Sequence, residues 1–143
     1  MPCIFCDIIS GLAPASFVHQ DDLCVAFMDI HPINPGHVLV VPHRHIAQLT
    51  ELDDLSSSRL MQVAQKVDAA LRSTGLKCEG VNLFLADGRA AGQEVMHVHL
   101  HVFPRFRGDG HHLRFGPAFF FPTPASELEK NAELIRIQMD KNP

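Results

Sequence analysis

Apolar residues follow a period of two in some segments of the chain and helical spacing in others. Five short segments are rich in apolar or β-branched side chains and are separated by turn-forming residues: 16–20, 24–28, 38–41, 81–86 and 97–104. Such segments are typical of β-strands. The pattern therefore predicts a five-stranded sheet.

One longer segment has the spacing of an α-helix. Its apolar residues recur three or four positions apart, at Leu60, Val63, Val67 and Leu71. This spacing predicts one long helix. Thr50 and Asp53 resemble a capping pair at its start, and Gly75 ends the pattern.

Shorter helices are expected at both ends of the chain. The segment CIFCDIISG predicts a helix that ends at Gly11, and Ser126 with Glu129 resembles a capping box for the last helix. Strands, a helix, strands and a helix in this order indicate an α+β domain. We therefore expect an antiparallel five-stranded sheet with one long helix and short terminal helices, the helices lying on one side of the sheet.

Composition narrows the class of protein. Of the 143 residues, 46% are hydrophobic, which is enough for the core of one domain. The formal charge of −4 argues against a nucleic-acid partner bound by general electrostatics. No segment approaches the ~20 apolar residues of a membrane span, and residues 1–10 lack the features of a signal peptide. Four cysteines without a secretion signal favour a reducing, cytoplasmic setting.

The segment HVHLHVFPR (97–105) carries three histidines at strict alternation. Because alternate residues of a strand point to opposite faces, His97, His99 and His101 share one face, and apolar residues occupy the other. Neighbouring histidines on that face start ~7 Å apart. Their rings can therefore converge on one small group.

Three interpretations fit this face. In the first, the histidines donate to backbone carbonyls and have no further role. In the second, they bind a metal ion such as zinc, copper or iron, although the outer two start ~13 Å apart and can hardly reach one ion together. In the third, a neutral middle histidine attacks phosphorus, its other ring nitrogen is held protonated by an acceptor, and the flanking rings donate to the phosphate oxygens.

Longer segments around the histidines carry a family resemblance. FMDIHPINPGHVLVVPHRH (27–45) and DGRAAGQEVMHVHLHVFPR (87–105), with CIFCDIISG near the start, resemble the histidine triad (HIT) superfamily. Its signature of three histidines alternating with apolar residues is complete at residues 97–103. The resemblance implies the HIT fold in a single domain, with a core at 3–107 and a C-terminal extension with a helix at 108–143.

The resemblance also implies an activity. Members of the family are nucleotide-binding hydrolases and transferases that cleave a bond to the α-phosphate of a nucleoside monophosphate. By position, His99 would be the nucleophile that forms a nucleotidyl-histidine, His101 would bond the phosphate oxygens, and His97 would support the strand and the relay. His45 would approach the triad, and Gln93 would lie near the phosphate and leaving group. The favoured substrates are phosphoramidates of adenosine or other purine nucleosides.

A nucleoside site is implied in the same way. Asp29 matches the aspartate that takes the ribose hydroxyls. Four residues match the apolar pocket: Phe5, Ile8, Phe27 and Ile30. Each position also has a plain structural interpretation, Asp29 as a turn former, Gln93 as a strand cap and the four apolar residues as core. His37 is assigned a structural role, and Glu94 stands where the best-studied purine phosphoramidase branch has a serine.

Cys3 and Cys6 have the spacing of zinc ligands, although two buried thiols on one helical turn have the same spacing. A tetrahedral site needs two more ligands. Some bacterial HIT proteins supply them from the positions of His45 and His97. The resemblance therefore implies a structural zinc ion on these four residues, with no cofactor required for the chemistry.

Other functions stay open. Residues 87–88 and 91–93 also resemble the branch that hydrolyses dinucleoside polyphosphates. A nucleotide- or zinc-binding regulatory protein with little turnover is a further alternative, and a metal-dependent hydrolase is the last. By resemblance, the partners are a nucleoside monophosphate or nucleotide conjugate and a second copy of the chain in a homodimer, with neither nucleic acid nor membrane.

Overall fold

The structure is a computed structural model that describes residues 2–142. Five strands form one sheet: β1 (Phe17–Gln20), β2 (Cys24–Met28), β3 (Val38–Pro42), β4 (Gly80–Phe84) and β5 (Leu100–Arg105). The α-helices of these residues are α1 (Ile4–Ile9), α2 (Asp54–Ser73) and α3 (Ala125–Lys141). The strands lie in the order β1-β2-β3-β5-β4, and neighbours are antiparallel. The predicted antiparallel sheet of five strands and the long helix are confirmed.

Both faces of the central strands are covered, so the expectation of helices on one side was wrong. On one face, α2 packs against alternate strand residues such as Val40. On the other face, Phe5 of α1 packs with the residues in between, such as Leu39. β3 is therefore buried along its whole length, and its continuous apolar run is typical of a strand covered on both sides.

The long helix α2 begins one turn later than the predicted capping pair implies. Asp53 is its N-cap, and Oδ1 of Asp53 accepts a hydrogen bond from the backbone N–H of Ser56 at 2.9 Å. Thr50 lies in a separate 3₁₀ turn, Leu49–Glu51. An N-cap residue stands directly before the helix, and its side chain accepts a hydrogen bond from the first turn. Asp53 occupies this position and Thr50 does not.

β5 starts after the first two histidines, later than predicted. Pro42 of β3 has no N–H with which to extend the pairing. The backbone N–H of Val98 donates instead to the carbonyl of Ile46 at 2.7 Å. His97 and His99 therefore lie just before β5.

The residues up to 110 and those from 111 onward form two compact units. In the second unit, Phe115 stacks on Phe119 with ring centroids 4.0 Å apart. Its helix α3 has 17 residues and is not the short helix expected, because residues 125–141 contain neither glycine nor proline to end it. The predicted capping box is absent: Pro124 is the N-cap without a side-chain bond, and Glu129 pairs with Arg136. Within residues 2–142, every helix is too short or too polar to cross a membrane.

Candidate active site

His99 lies in the wall of a large cavity on the α1 face of the sheet. The cavity has a volume of about 750 Å³, and His101, Asp29 and Phe5 also line it. Small-molecule sites typically have volumes of ~300–1,000 Å³. The cavity is therefore large enough for a ligand of nucleotide size.

One hydrogen bond fixes the protonation of the His99 ring. Nδ1 of His99 lies 2.8 Å from the backbone carbonyl oxygen of His97. A carbonyl oxygen only accepts, so Nδ1 of the neutral ring carries the proton and Nε2 carries the lone pair. The ring of Phe5 packs edge-on against His99, with centroids 5.1 Å apart. His99 thus has the tautomer that a nucleophile needs.

A second chain of hydrogen bonds orders His101. The backbone N–H of Ile33 donates to Nδ1 of His37 at 3.0 Å, so the proton of neutral His37 is on Nε2. That Nε2 lies 2.9 Å from Nδ1 of His101 and donates to it. Neutral His101 therefore carries its own proton on Nε2, as a hydrogen-bond donor.

Burial keeps this pair of rings neutral. Desolvation, aided by the nearby rings of His99 and His37, lowers the pKa of His101 from 6.5 to about 4, and the carboxylate of Asp29 opposes this only in part. Desolvation also lowers the pKa of His37, again against Asp29. When both rings are neutral, one of the two facing nitrogens carries a proton and the other a lone pair, as the hydrogen bond between them requires.

Acid is expected to destabilise the fold through His101. The pKa of His101 is lower in the folded chain than in the unfolded one. The contribution of the neutral ring to the free energy of unfolding is therefore complete above about pH 6.5, and it is lost as the pH falls toward 4. We expect His101→Gln to remove on the order of 2–3 kcal/mol from the acid-induced drop in the free energy of unfolding, measured by urea denaturation. Exposed His43→Gln is the matched control. An unchanged pH dependence in His101→Gln would contradict the assignment.

The residues predicted for the nucleoside all line this cavity: Asp29, Phe5, Ile8, Phe27 and Ile30. The buried rings of Phe5 and Phe27 meet edge to face, with centroids 5.6 Å apart. Ile30 is 86% exposed, so the core interpretation fails at this position. The cavity therefore offers aromatic and aliphatic walls.

Asp29 supports its own loop and also faces the histidines. Its Oδ1 accepts from the backbone N–H of His31 at 2.8 Å, as in a turn. Its Oδ2 lies 3.6 Å from Nε2 of His37 and 3.9 Å from Nδ1 of His101. Asp29 is therefore both a turn-forming residue and a residue of the candidate site.

Gln93 is buried, and its side chain bonds the backbone on both sides. Its Nε2 donates to the carbonyls of Ala47 and Val95, and its Oε1 accepts from the N–H of Gly88. These bonds match the capping interpretation, and one of them would have to open for Gln93 to contact a phosphate. Its neighbour Glu94 lines the cavity.

Four potential metal ligands converge beside the start of α1. The donor atoms of Cys3, Cys6, His45 and His97 all lie within 4.8 Å of one another. Nδ1 of His97 is 3.5 Å from Sγ of Cys3 and 3.7 Å from Sγ of Cys6, and Nδ1 of His45 is 3.3 Å from Sγ of Cys6. Zinc bonds of ~2.0–2.3 Å in a tetrahedron place ligand atoms ~3.3–3.8 Å apart. The donor set therefore fits a zinc ion.

The other nitrogen of His97 is held as zinc-binding histidines usually are. Its Nε2 donates to the carbonyl of Pro42 at 2.9 Å, which fixes Nδ1 as the nitrogen with the lone pair. The backbone carbonyl of the same residue accepts the bond from His99. His97 thus joins the candidate metal site to the candidate nucleophile.

His37 is a residue of the candidate site whose contact with the triad the sequence did not predict. Its ring is fully buried and contacts His101, although the sequence suggested only a structural role. The available signal in the sequence was a histidine directly before the apolar run at 38–41. Phe84 of β4 and Leu39 of β3 also line the cavity.

This chain belongs to the HIT family, since the family model for the HIT domain matches residues 10–108. It is 43% identical over 140 residues to an uncharacterized HIT-like protein of Borreliella burgdorferi, across 96% of this chain and 97% of that one. It is 38% identical over 105 residues to the adenosine 5'-monophosphoramidase of Schizosaccharomyces pombe, across 73% of this chain and 75% of that one.

Solved structures have the same fold. A zinc-bound histidine triad family protein from Mycobacterium smegmatis superposes with a TM-score of 0.75 at 40% identity, covering 82% of this chain and 84% of that one. A histidine triad nucleotide-binding protein from Candida albicans gives a TM-score of 0.86 at 30% identity, covering 99% of this chain and 100% of that one. The family and fold inferred from the histidine segments are thereby confirmed.

Proposed function

We propose that this protein is a nucleotide-binding hydrolase or nucleotidyltransferase that cleaves a bond to the α-phosphate of a purine nucleoside monophosphate. Phosphoramidates are the favoured substrates. The observation that carries the proposal is the hydrogen bond from Nδ1 of His99 to the carbonyl of His97, which leaves the lone pair on Nε2. The relative named as an adenosine 5'-monophosphoramidase supports the substrate class.

His99 performs both chemical steps. In the first, its Nε2 forms a bond to the α-phosphorus while the bond to the leaving group breaks, and the leaving group takes the electron pair and a proton from water. The ring becomes positively charged, and its Nδ1–H bond to the His97 carbonyl strengthens. In the second step, water attacks phosphorus, the electron pair of the N–P bond returns to Nε2, and a proton leaves to solvent.

His101 is proposed to stabilise the charge that develops on phosphate. Its tautomer leaves an Nε2–H donor, and its ring centroid lies 4.9 Å from that of His99. A donor already oriented beside the reacting phosphorus lowers the barrier without reorganisation during the reaction. His45 and His97 support the strand from the zinc side, and Gln93 is proposed to act near the leaving group once its backbone bonds open.

The apolar wall is proposed to hold the base, and Asp29 the ribose. A carboxylate can accept from both adjacent hydroxyls of a ribose. Four side chains would cover the base: Phe5, Ile8, Phe27 and Ile30. A flat base needs such apolar walls more than it needs charge.

Asp29→Asn is expected to weaken selection for ribonucleotides. We expect KM for the ribonucleotide to rise by about tenfold, because the amide has one neutral acceptor oxygen and an NH₂ donor in place of the two charged acceptor oxygens of the carboxylate. KM for the 2′-deoxy substrate should change little, so the ratio of the two constants is the measurement. Exposed Asp22→Asn is the control. An unchanged ratio would remove Asp29 from the ribose site.

A structural zinc ion is proposed on Cys3, Cys6, His45 and His97, as their spacing and the zinc-bound relative support. The ion would tie the first turn of α1 to the segment before β5. When bound, it supplies cross-linking and no chemistry at the phosphorus. Its thiolate ligands need a reducing compartment, and we therefore place the protein in the cytoplasm.

A homodimer is proposed from the open edge of the sheet. β4 is an edge strand, and its Leu83 and Phe84 are 41% and 48% exposed. An apolar edge strand of this kind pairs readily with another strand. Light scattering should give twice the chain mass, and Phe84→Glu should give the single mass; a monomeric wild type would exclude the dimer.

The alternatives are separated by a comparison of substrates. The proposal predicts a higher kcat/KM for adenosine 5′-phosphoramidate than for a diadenosine polyphosphate. The reverse order would favour a dinucleoside polyphosphate hydrolase. Tight binding of a nucleoside monophosphate without release of any leaving group would indicate a regulatory protein.

A further inference from the structure

Asn34 and Asp109 lie 75 positions apart in the sequence and form a buried hydrogen-bonded pair, which we call the clamp. Asn34 is only 5% exposed, and the side chain of Asp109 is only 4% exposed. Nδ2 of Asn34 donates to Oδ2 of Asp109 and to the carbonyl of Pro104, each at 2.9 Å. Arg105 holds the same carboxylate through Nε at 2.6 Å and Nη2 at 3.0 Å.

The clamp fixes the loop that sets the tautomer of His37. The carbonyl of Asn34 accepts from the backbone N–H of His37 at 3.1 Å. The peptide N–H of Ile33, the preceding residue, donates to the His37 ring. Because Asn34 directly follows Ile33, we expect the position of this peptide to depend on where the Asn34 side chain is anchored. If the Ile33 N–H turned away, Nδ1 of His37 would be free to take the proton.

A change of tautomer at His37 would pass directly to His101. With its proton on Nδ1, His37 would present a lone pair to Nδ1 of His101 across 2.9 Å. His101 would then have to place its own proton on Nδ1 to restore the hydrogen bond. Its Nε2 would carry a lone pair, which repels a phosphate oxygen.

We propose that Asn34 and Asp109 are positioning residues that keep Nε2 of His101 protonated for contact with the phosphate. The catalytic consequence rests on the proposed function, whereas the effect on the tautomer belongs to the free protein. The buried pair acts through Ile33 and His37 and touches no substrate. Arg105 supplies the charge that makes a buried carboxylate stable at this place.

The test uses ¹⁵N-histidine labelled full-length protein, with His101 assigned by loss of its signals in His101→Gln. Wild type should show the pattern of a ring protonated at Nε2. Asn34→Ala and Asp109→Ala should each shift His101 toward the Nδ1-protonated pattern and lower kcat about ten- to a hundredfold, with KM nearly unchanged. Combining the two substitutions should add little, because they break one clamp.

Asp21→Asn is the matched control, because Asp21 also pairs with an arginine, Arg59, but is bonded to the β1–β2 hairpin. It should lower stability and leave the His101 spectrum and kcat unchanged. A wild-type His101 spectrum in folded Asn34→Ala and Asp109→Ala would overturn the clamp even if turnover fell. A shifted spectrum in a protein that turns over no nucleotide would instead retain the clamp and reject the proposed function.

Discussion

His99→Ala is expected to lower kcat by on the order of 10⁴-fold or more, because the substitution removes the nitrogen atom proposed to attack phosphorus. The dissociation constant for a nucleoside monophosphate should change far less, since most of the cavity wall is contributed by other residues. Steady-state kinetics and calorimetric titration measure the two effects separately. A large fall in kcat with a nearly unchanged dissociation constant indicates a lost nucleophile, whereas a change in both constants would indicate a collapsed pocket.

An exposed histidine provides the control for this substitution. His43→Ala should leave both kcat and the dissociation constant at their wild-type values. If His99→Ala retained a kcat within tenfold of wild type, water would be attacking the substrate directly. His99 would then not be the nucleophile.

Loss of the proposed zinc ion should produce the second large effect, on stability rather than on chemistry. A ligand present at ~1,000 times its Kd stabilises the fold by ~4 kcal/mol, which corresponds to a fall in Tm of roughly 15 °C on removal from a domain of this size. We expect purified protein to contain one zinc ion per chain and Cys3→Ser to contain none. Elemental analysis and calorimetry with and without a chelator measure the two quantities.

Cys78→Ser is the control for Cys3→Ser, because Cys78 is a partly buried thiol that donates to the carbonyl of Gly80, outside the metal cluster. It should keep the zinc and most of the Tm. Below the lowered Tm, the metal-free protein should still transfer a nucleotide to His99. Complete loss of turnover in a chelated but folded protein would favour the metal-dependent hydrolase instead.

The alternation of the histidines with apolar residues was sufficient to predict their common face. That pattern is local, and the structure buries Val98, Leu100 and Val102 in the core on the α2 face. The role of His37 was not predictable in the same way. Its contact with His101 spans 64 positions and exists because β3 pairs with β5 in one register, which a single sequence does not specify.

Long-range hydrogen bonds also explain where else the structure differs from the sequence-based predictions. The early end of the β3–β5 pairing depends on Pro42, whose carbonyl accepts from His97. The bond between Asn34 and Asp109 joins residues 75 positions apart, and in the sequence both resemble ordinary turn formers. The covering of both sheet faces was readable in principle from the apolar run at 38–41. The order of strands and helices along the chain, taken alone, suggested that the helices lie on one side of the sheet.

The most direct test of the central claim is mass spectrometry of the protein quenched in acid-free denaturant during turnover of adenosine 5′-phosphoramidate. We expect a population heavier by one nucleoside monophosphate less one water, with the added mass mapped by fragmentation to His99 and absent from His99→Ala. Full turnover with no modified chain under conditions that trap phosphohistidine standards, or modification at a different residue, would contradict it.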